Sequence, residues 1–298
     1  MQVVKVGTYK SAVEPYIMTE PSEANREQIK GYITPIWNYI SGGIAAGRDV
    51  STADVNEWAD SIIVTQDPAT FAARGLITSL KYRHEAEEWM KSVTGKKKKD
   101  NLSLVSPAKY ASAIKEKSSS NKIAVLYATG DIVDSGNEGI VGDKMAPLIM
   151  SIAENDDIDA LVLRVNSGGG SAFASEQIWE AFEQFKKLCP EKPFYVSMGD
   201  MAASGGYYIS CGANKIYAEP VTLTGSIGIF GIIPNIQPLM REKLGVNVET
   251  VQTNTGSFPT LLQPMTDGQK AAMQSYVNNG YELFVSRCAN GRHRTVEQ

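Results

Sequence analysis

Hydrophobic positions along the chain follow two regimes that change near residue 121. Before it, apolar residues recur at helical spacing: Ile29, Ile33, Ile36, Trp37 and Ile40 follow Pro21 with Ser22 as a cap, and Val55, Trp58, Ala59 and Ile62 follow Thr52. Spacings of three and four predict amphipathic helices, the first kinked or restarted at Pro35 and ended by Gly47-Arg48. Further helices are expected over 69–75, which ends at a glycine cap, and over 80–92, with a short strand over 3–6. Residues 94–120 hold a lysine run at 96–99, several serines and Pro107, the composition of a linker, with room for a short helix over 106–114. After residue 121, short apolar runs alternate with helical patterns. Strands are expected over 122–128, 161–165, 193–198, 215–218 and 248–252, and helices over 143–153, 171–188, through Tyr208 and near 235–244. Strands joined by crossover helices predict a mostly parallel sheet in a layered α/β domain.

Composition narrows the function classes. With 298 residues and 43% hydrophobic content the chain can bury the core of one large or two small domains. Net charge is −4, so nothing favours a nucleic-acid partner, and the lysine run reads as solvated. Cys189, Cys211 and Cys288 are odd in number and lack ligand spacing; buried thiols are expected, with no disulfide framework, metal or cofactor. No stretch approaches the ~18 apolar residues that a membrane span needs, and the chain as given is expected to be soluble. His84 and His293 lie in charged or polar surroundings and read as surface residues, which leaves a Ser-His-Asp triad with little support.

Two glycine-rich turns carry the candidate chemistry. Ser204 follows a strand-like run and is flanked by small residues, Met201-Ala202-Ala203-Ser204-Gly205-Gly206, where a helix can start beside it. A hydroxyl there sits near unpaired N–H groups and a helix dipole, the setting of a nucleophile, although an N-cap serine in a packing turn fits the same residues. Upstream, Asn166-Ser167-Gly168-Gly169-Gly170-Ser171 ends a β-branched run and opens a helix, leaving bare amides at the carboxyl end of a strand. Neither a P-loop nor a clean Gly-x-Gly-x-x-Gly is present.

The ends of the chain resemble each other. Residues 7–15 align with 256–264, and Gly31-Tyr32 with Gly280-Tyr281, both 249 positions on. We read a tandem duplication with a period of about 250 residues. On this reading 1–93 is the C-terminal part of a first repeat, 94–120 a linker and 121–298 a nearly complete second repeat. The counterpart of 55–92 is missing after Gln298, so the chain reads as a fragment. Lys10 faces Pro259 in the alignment, so only the first copy keeps an amine at that place.

Residues 7–12 (GTYKSA), 165–170 (VNSGGG), 199–208 (GDMAASGGYY) and 224–228 (TGSIG) resemble, in order, the motifs of the signal peptide peptidase A (protease IV) family in its long, duplicated bacterial form. Gly168 departs from the family's usual proline. The resemblance implies a Clp-protease/crotonase-like α/β fold and a Ser/Lys dyad, with Ser204 as nucleophile and Lys10 as general base. It further implies oxyanion N–H groups from Gly170 and Gly205, with Gly169 in support, and a hydrogen bond from the lysine amine to Ser226. It also implies a homo-oligomer, typically a tetramer, anchored in the bacterial cytoplasmic membrane and facing outward, that cuts remnant signal peptides. The residues agree: without a histidine base, a lysine serves if desolvation lowers its pKa, and Lys10 beside small residues permits burial. Ile227, Ile229, Phe230, Ile232 and Ile233 suit an apolar substrate side chain. A crotonase-type acyl-CoA hydratase or isomerase, which shares the oxyanion turn without needing the serine, and a catalytically silent scaffold are the alternatives.

Overall fold

The computed structural model describes residues 1–114, 119–254 and 256–298; of the linker expected over 94–120, residues 115–118 lie outside the described part. The chain divides into two compact units: Met1–Thr34 together with Asn121–Gln298, and Pro35–Ser120.

The first unit is built on a parallel sheet. Its strands in chain order are β1 (Gln2–Lys5), β2 (Ile123–Thr129), β3 (Ile132–Val133), β4 (Ile140–Val141), β5 (Ala160–Ser167), β6 (Phe194–Ala203), β7 (Lys215–Tyr217), β8 (Leu223–Gly225) and β9 (Phe230–Ile233). The order β2-β5-β6-β7 is parallel throughout, and β8 also pairs with β6. β3 pairs with β4 in parallel, and β1 pairs with β9 antiparallel. This is the layered α/β arrangement expected from the alternating pattern.

The helices are α1 (Glu23–Arg48), α2 (Thr52–Asp60), α3 (Pro68–Ala73), α4 (Arg83–Val93), α5 (Pro107–Ala113), α6 (Gly142–Ala153), α7 (Ala172–Leu188), α8 (Gly205–Tyr208) and α9 (Asp267–Arg292). α6 and α7 cover one sheet face. Leu161, Leu163 and Val165 of β5 and Phe194 and Val196 of β6 point into that core, and Phe182 stacks on Phe194 with ring centroids 4.1 Å apart. Because side chains alternate along a strand, Val125 and Tyr127 of β2 and Tyr217 of β7 fall on exposed positions. The second unit packs Ala45, Val55, Trp58 and Ile63 together, and Ser51 and Asp54 close a capping box at the start of α2.

Three expectations change. α1 runs through Pro35 as one 26-residue helix, because residues 31–35 are exposed and water can serve the carbonyl that proline leaves without a donor. The helix expected near 235–244 forms over 237–244, but its middle, Leu239–Lys243, is π-helical. Residues 248–252 form no strand: Val251 is 94% exposed, so an extended run there buries nothing. In their place β9 had no periodic signal in the sequence and forms because β1, from the opposite end of the chain, pairs with it.

Candidate active site

Ser204 stands at the end of β6, where the strand breaks register. Val165 of β5 faces Met198, but Ser167, two residues on, faces Ala202, so β6 carries extra residues around Gly199-Asp200-Met201. Such a bulge bends the strand and re-aims the residues beyond it. The side chain of Asn166 fixes it by accepting from the Met201 amide at 3.1 Å. β6 then passes to a new neighbour, β8, and the Ser204 amide donates to the Gly225 carbonyl at 2.9 Å. Ser204 itself has φ 53° and ψ −121°, a conformation that costs a non-glycine residue about 1–3 kcal/mol and occurs where function holds it. It occupies the N-cap position of α8, yet its hydroxyl makes no capping bond. The packing-turn reading therefore loses its main support. α8 is only four residues long, so individual amides, and not the dipole of a long helix, face the hydroxyl.

The second glycine turn lies against the first. A Cβ on Gly169 would stand 2.6 Å from the Gly205 nitrogen and 2.9 Å from the Ser204 Cβ, so only glycine lets the two turns touch. Gly170 is pinned to β3: Ile132 donates to the Gly169 carbonyl at 2.9 Å, and the Ser171 amide donates to the Ile132 carbonyl at 2.8 Å. Among the described residues, the Gly170 and Gly205 amides have no backbone or side-chain acceptor. Both glycines line the same cavity as Ser204. Gly168, the departure from the family pattern, lies beside Met201, whose Sδ a Cβ there would meet at 3.3 Å.

Lys10 reaches the site from the other end of the chain. Its Nζ donates to Ser226 at the Oγ (3.1 Å) and at the carbonyl (3.2 Å). The loop carrying Ser226 is tied to β6 by the Thr222 and Thr224 hydroxyls, which donate to the Gly199 and Ala202 carbonyls. The amine also lies 5.7 Å from the centre of the Phe230 ring. Burial pushes the Lys10 pKa below the ordinary lysine value. No carboxylate pairs with Lys10 among the described residues, so no opposite charge offsets that burial. Lys10 and Ser204 line adjoining cavities without a direct hydrogen bond between them.

A residue without sequence signal anchors the turn that follows Lys10. Glu14 sits in the 3₁₀ turn Ser11–Tyr16 immediately after Lys10, is buried, and accepts from the Ser22 hydroxyl (2.6 Å), the Ser22 amide (3.0 Å) and the Asn25 side chain (3.0 Å). These hydrogen bonds, from Ser22 foremost, hold its carboxyl below the usual range. The anchoring is therefore complete at neutral pH and is lost only as pH falls through that lowered value. Glu14→Ala is expected to lower turnover up to about 100-fold with little change in KM, because a displacement of ~1 Å at a base has that effect. Steady-state peptidase kinetics check this, and Glu14→Gln, which keeps one acceptor, should lie between.

The far wall was also illegible in the sequence. Glu176 of α7 accepts from the Tyr208 hydroxyl of α8 and, at 2.7 Å, from Arg287 of α9, whose guanidinium lies 3.8 Å from the centre of the Trp179 ring. Burial, with Glu176 adding to it, pushes the Tyr208 phenol upward, so it stays a neutral donor. Phe284 and Tyr276 of α9 complete the wall. His84 and His293 are exposed, and no imidazole lines the cavity. An uncapped serine hydroxyl, two free amides and a desolvated amine are the parts that acyl transfer requires.

The chain is similar in sequence to known proteases. The chain is 36% identical over 315 residues to Protease 4 of Salmonella typhi, an alignment covering 99% of this chain and 49% of that protein. It is 32% identical over 312 residues to Protease 4 of Haemophilus influenzae, covering 99% and 50%, and 29% identical over 311 residues to the chloroplastic serine protease SPPA of Arabidopsis thaliana, covering 100% and 45%. It thus spans about half the length of these relatives. Among the described residues no helix is long and apolar enough to cross a membrane. The model of peptidase family S49 matches residues 1–97 and 186–298, segments that hold Lys10, Ser204 and Ser226, and with that match the chain belongs to peptidase family S49.

Proposed function

We propose that this chain carries the catalytic apparatus of a serine endopeptidase, with Ser204 as nucleophile and Lys10 as general base. The observation that carries the reading is the desolvated Lys10 amine donating to both oxygens of Ser226 beside the cavity that holds Ser204. A neutral amine has two N–H donors. With both directed at Ser226, its lone pair is left to accept a proton from elsewhere.

The steps follow from these groups. The Ser204 Oγ bonds to the scissile carbonyl carbon as its proton passes to Lys10 Nζ, and the Gly170 and Gly205 amides hold the oxyanion. The C–N bond breaks as Lys10 returns that proton to the leaving amine. Water then attacks the acyl-enzyme, giving its proton to Lys10, and the ester C–O bond breaks with the proton returning to Ser204. The cavity of about 240 Å³ beside Ser204, with Ile229, Phe230 and Phe284 in its walls, suits an apolar acyl-side residue. Short hydrophobic peptides such as remnant signal peptides are the proposed substrates, and a membrane-associated homo-oligomer facing out of the cytoplasm the proposed setting. α1 and α9, each 26 residues, follow the two aligned segments and support the tandem-repeat reading.

A fluorophosphonate probe tests the proposal. Covalent label mapped by peptide mass to Ser204 is the expected result; an unlabelled protein, or label at another residue, overturns it.

A further inference from the structure

The Lys10 side chain separates two cavities, and their linings differ in chemistry. The smaller contains Ser204, Gly170 and Gly205 but not Lys10; the larger, about 640 Å³, contains Lys10 and Ser226 but not Ser204. Gly228 and Phe230 of the smaller cavity lie close to the lysine chain: a Cβ on Gly228 would stand 3.4 Å from Lys10 Cδ.

We infer that the larger cavity is the subsite for the leaving-group segment, the part of the peptide on the C-terminal side of the scissile bond. The inference rests on the Ser204/Lys10 reading and adds a direction to it. Lys10 must hand its proton to the nitrogen that departs, so that nitrogen lies on the lysine's side of the scissile carbon. The acyl portion, fixed by the serine and the two amides, lies on the other. The cavity on the lysine's side is then the place for the residues beyond the departing nitrogen.

Its walls indicate what it takes. Ile29 of α1 and Met201 and Leu223 near the β6 bulge supply apolar surface, Tyr32 adds an aromatic ring, and no carboxylate lines it. Gln28 accepts from the Ser11 hydroxyl at 3.3 Å, which leaves its amide N–H₂ to donate to a backbone carbonyl. An uncharged, bulky residue directly after the scissile bond fits these groups. Gly31 sets the room: it lies on the exposed side of α1, lines the cavity, and a Cβ there would meet no atom within 4 Å.

Acyl transfer reads this subsite separately from the rest of the enzyme. An acyl-enzyme formed from an N-acyl peptide ester is offered a mixture of leucinamide and glycinamide, and the two transfer products are quantified by chromatography. An amine attacks by the reverse of leaving-group departure, so it must occupy the leaving-group subsite. The wild-type protein should favour leucinamide, and Gly31→Leu, which narrows the cavity, should lower the leucinamide-to-glycinamide ratio about tenfold. The ratio is taken within one population of acyl-enzyme, so a general loss of activity does not move it. Tyr32→Ala, at an exposed position that does not threaten folding, should shift preference toward the larger tryptophanamide. Tyr276→Ala, on the smaller cavity, should change acyl-side preference instead. Gly31→Leu and Tyr32→Ala with wild-type ratios, or a ratio that responds to Tyr276→Ala in their place, would overturn the assignment while leaving the dyad standing. A wild-type protein that forms no acyl-enzyme refutes the dyad reading and this subsite with it.

Discussion

Lys10→Ala is expected to slow acylation by at least about 10⁴-fold, as far as Ser204→Ala does, and the double variant should be no slower than either, because removing either partner disables the same step. Lys10→Arg should fail equally, since a guanidinium stays protonated and cannot accept the serine proton. The pH profile gives an independent signature. Burial lowers the Lys10 pKa, only the neutral amine is a base, and the rate should therefore climb as pH rises through that lowered value and then level. The stability effect has a definite sign. The folded state holds the amine neutral at pH values where the unfolded chain protonates it, so this residue costs stability at low pH. That cost fades as pH rises from the lowered to the ordinary lysine value. Lys10→Met should accordingly be inactive yet more resistant to urea than the parent at neutral pH, with the difference gone in strong alkali. Single-turnover labelling and urea midpoints across pH measure both. A Lys10→Ala protein that acylates at near the parental rate would refute the dyad.

Gly170→Ala should be the most damaging of the single-methyl additions at the site. The added Cβ would stand 2.1 Å from the Ile132 carbonyl oxygen and 2.7 Å from its nitrogen, at a φ of 153°. Neither neighbour is a flexible side chain. The turn must separate from β3, which breaks the hydrogen bonds from Ile132 to Gly169 and from Ser171 to Ile132. A cost of about 3 kcal/mol is expected, the upper end for overpacking, together with loss of labelling as the Gly170 amide swings away. Gly168→Ala is the contrast. Its Cβ would meet only the Met201 Sδ at 3.3 Å, which a rotamer change relieves, so the urea midpoint and labelling rate should stay close to the parental values. Equal effects of the two substitutions would remove the argument from close approach.

The sequence by itself determined the elements whose signal is local. Apolar spacing marked α2, α6 and α7, Ser22 announced the cap of α1, where its hydroxyl accepts from the Asn25 amide, and β-branched runs marked β2, β5 and the start of β6. Both glycine turns were also legible, one from three consecutive glycines after a β-branched run and the other from a serine among small residues after a strand-like run. What local pattern cannot hold is any relation set by distant residues. Lys10 and Ser226 are 216 positions apart, and the pairing of β1 with β9, from opposite ends of the chain, brings the first segment to the loop that receives the amine. β9 escaped notice because its apolar residues have no alternation to mark them; its partner supplies the reason it is a strand. Glu14 carries no local mark, and the donors that hold it, Ser22 and Asn25, become its neighbours when the turn after Lys10 folds back on the start of α1. The motifs thus named the chemical groups. Tertiary structure decided their arrangement, because hydrogen-bond geometry and desolvation depend on neighbours in space, and the Ser226 acceptors and Phe230 ring around the Lys10 amine come from more than two hundred residues away.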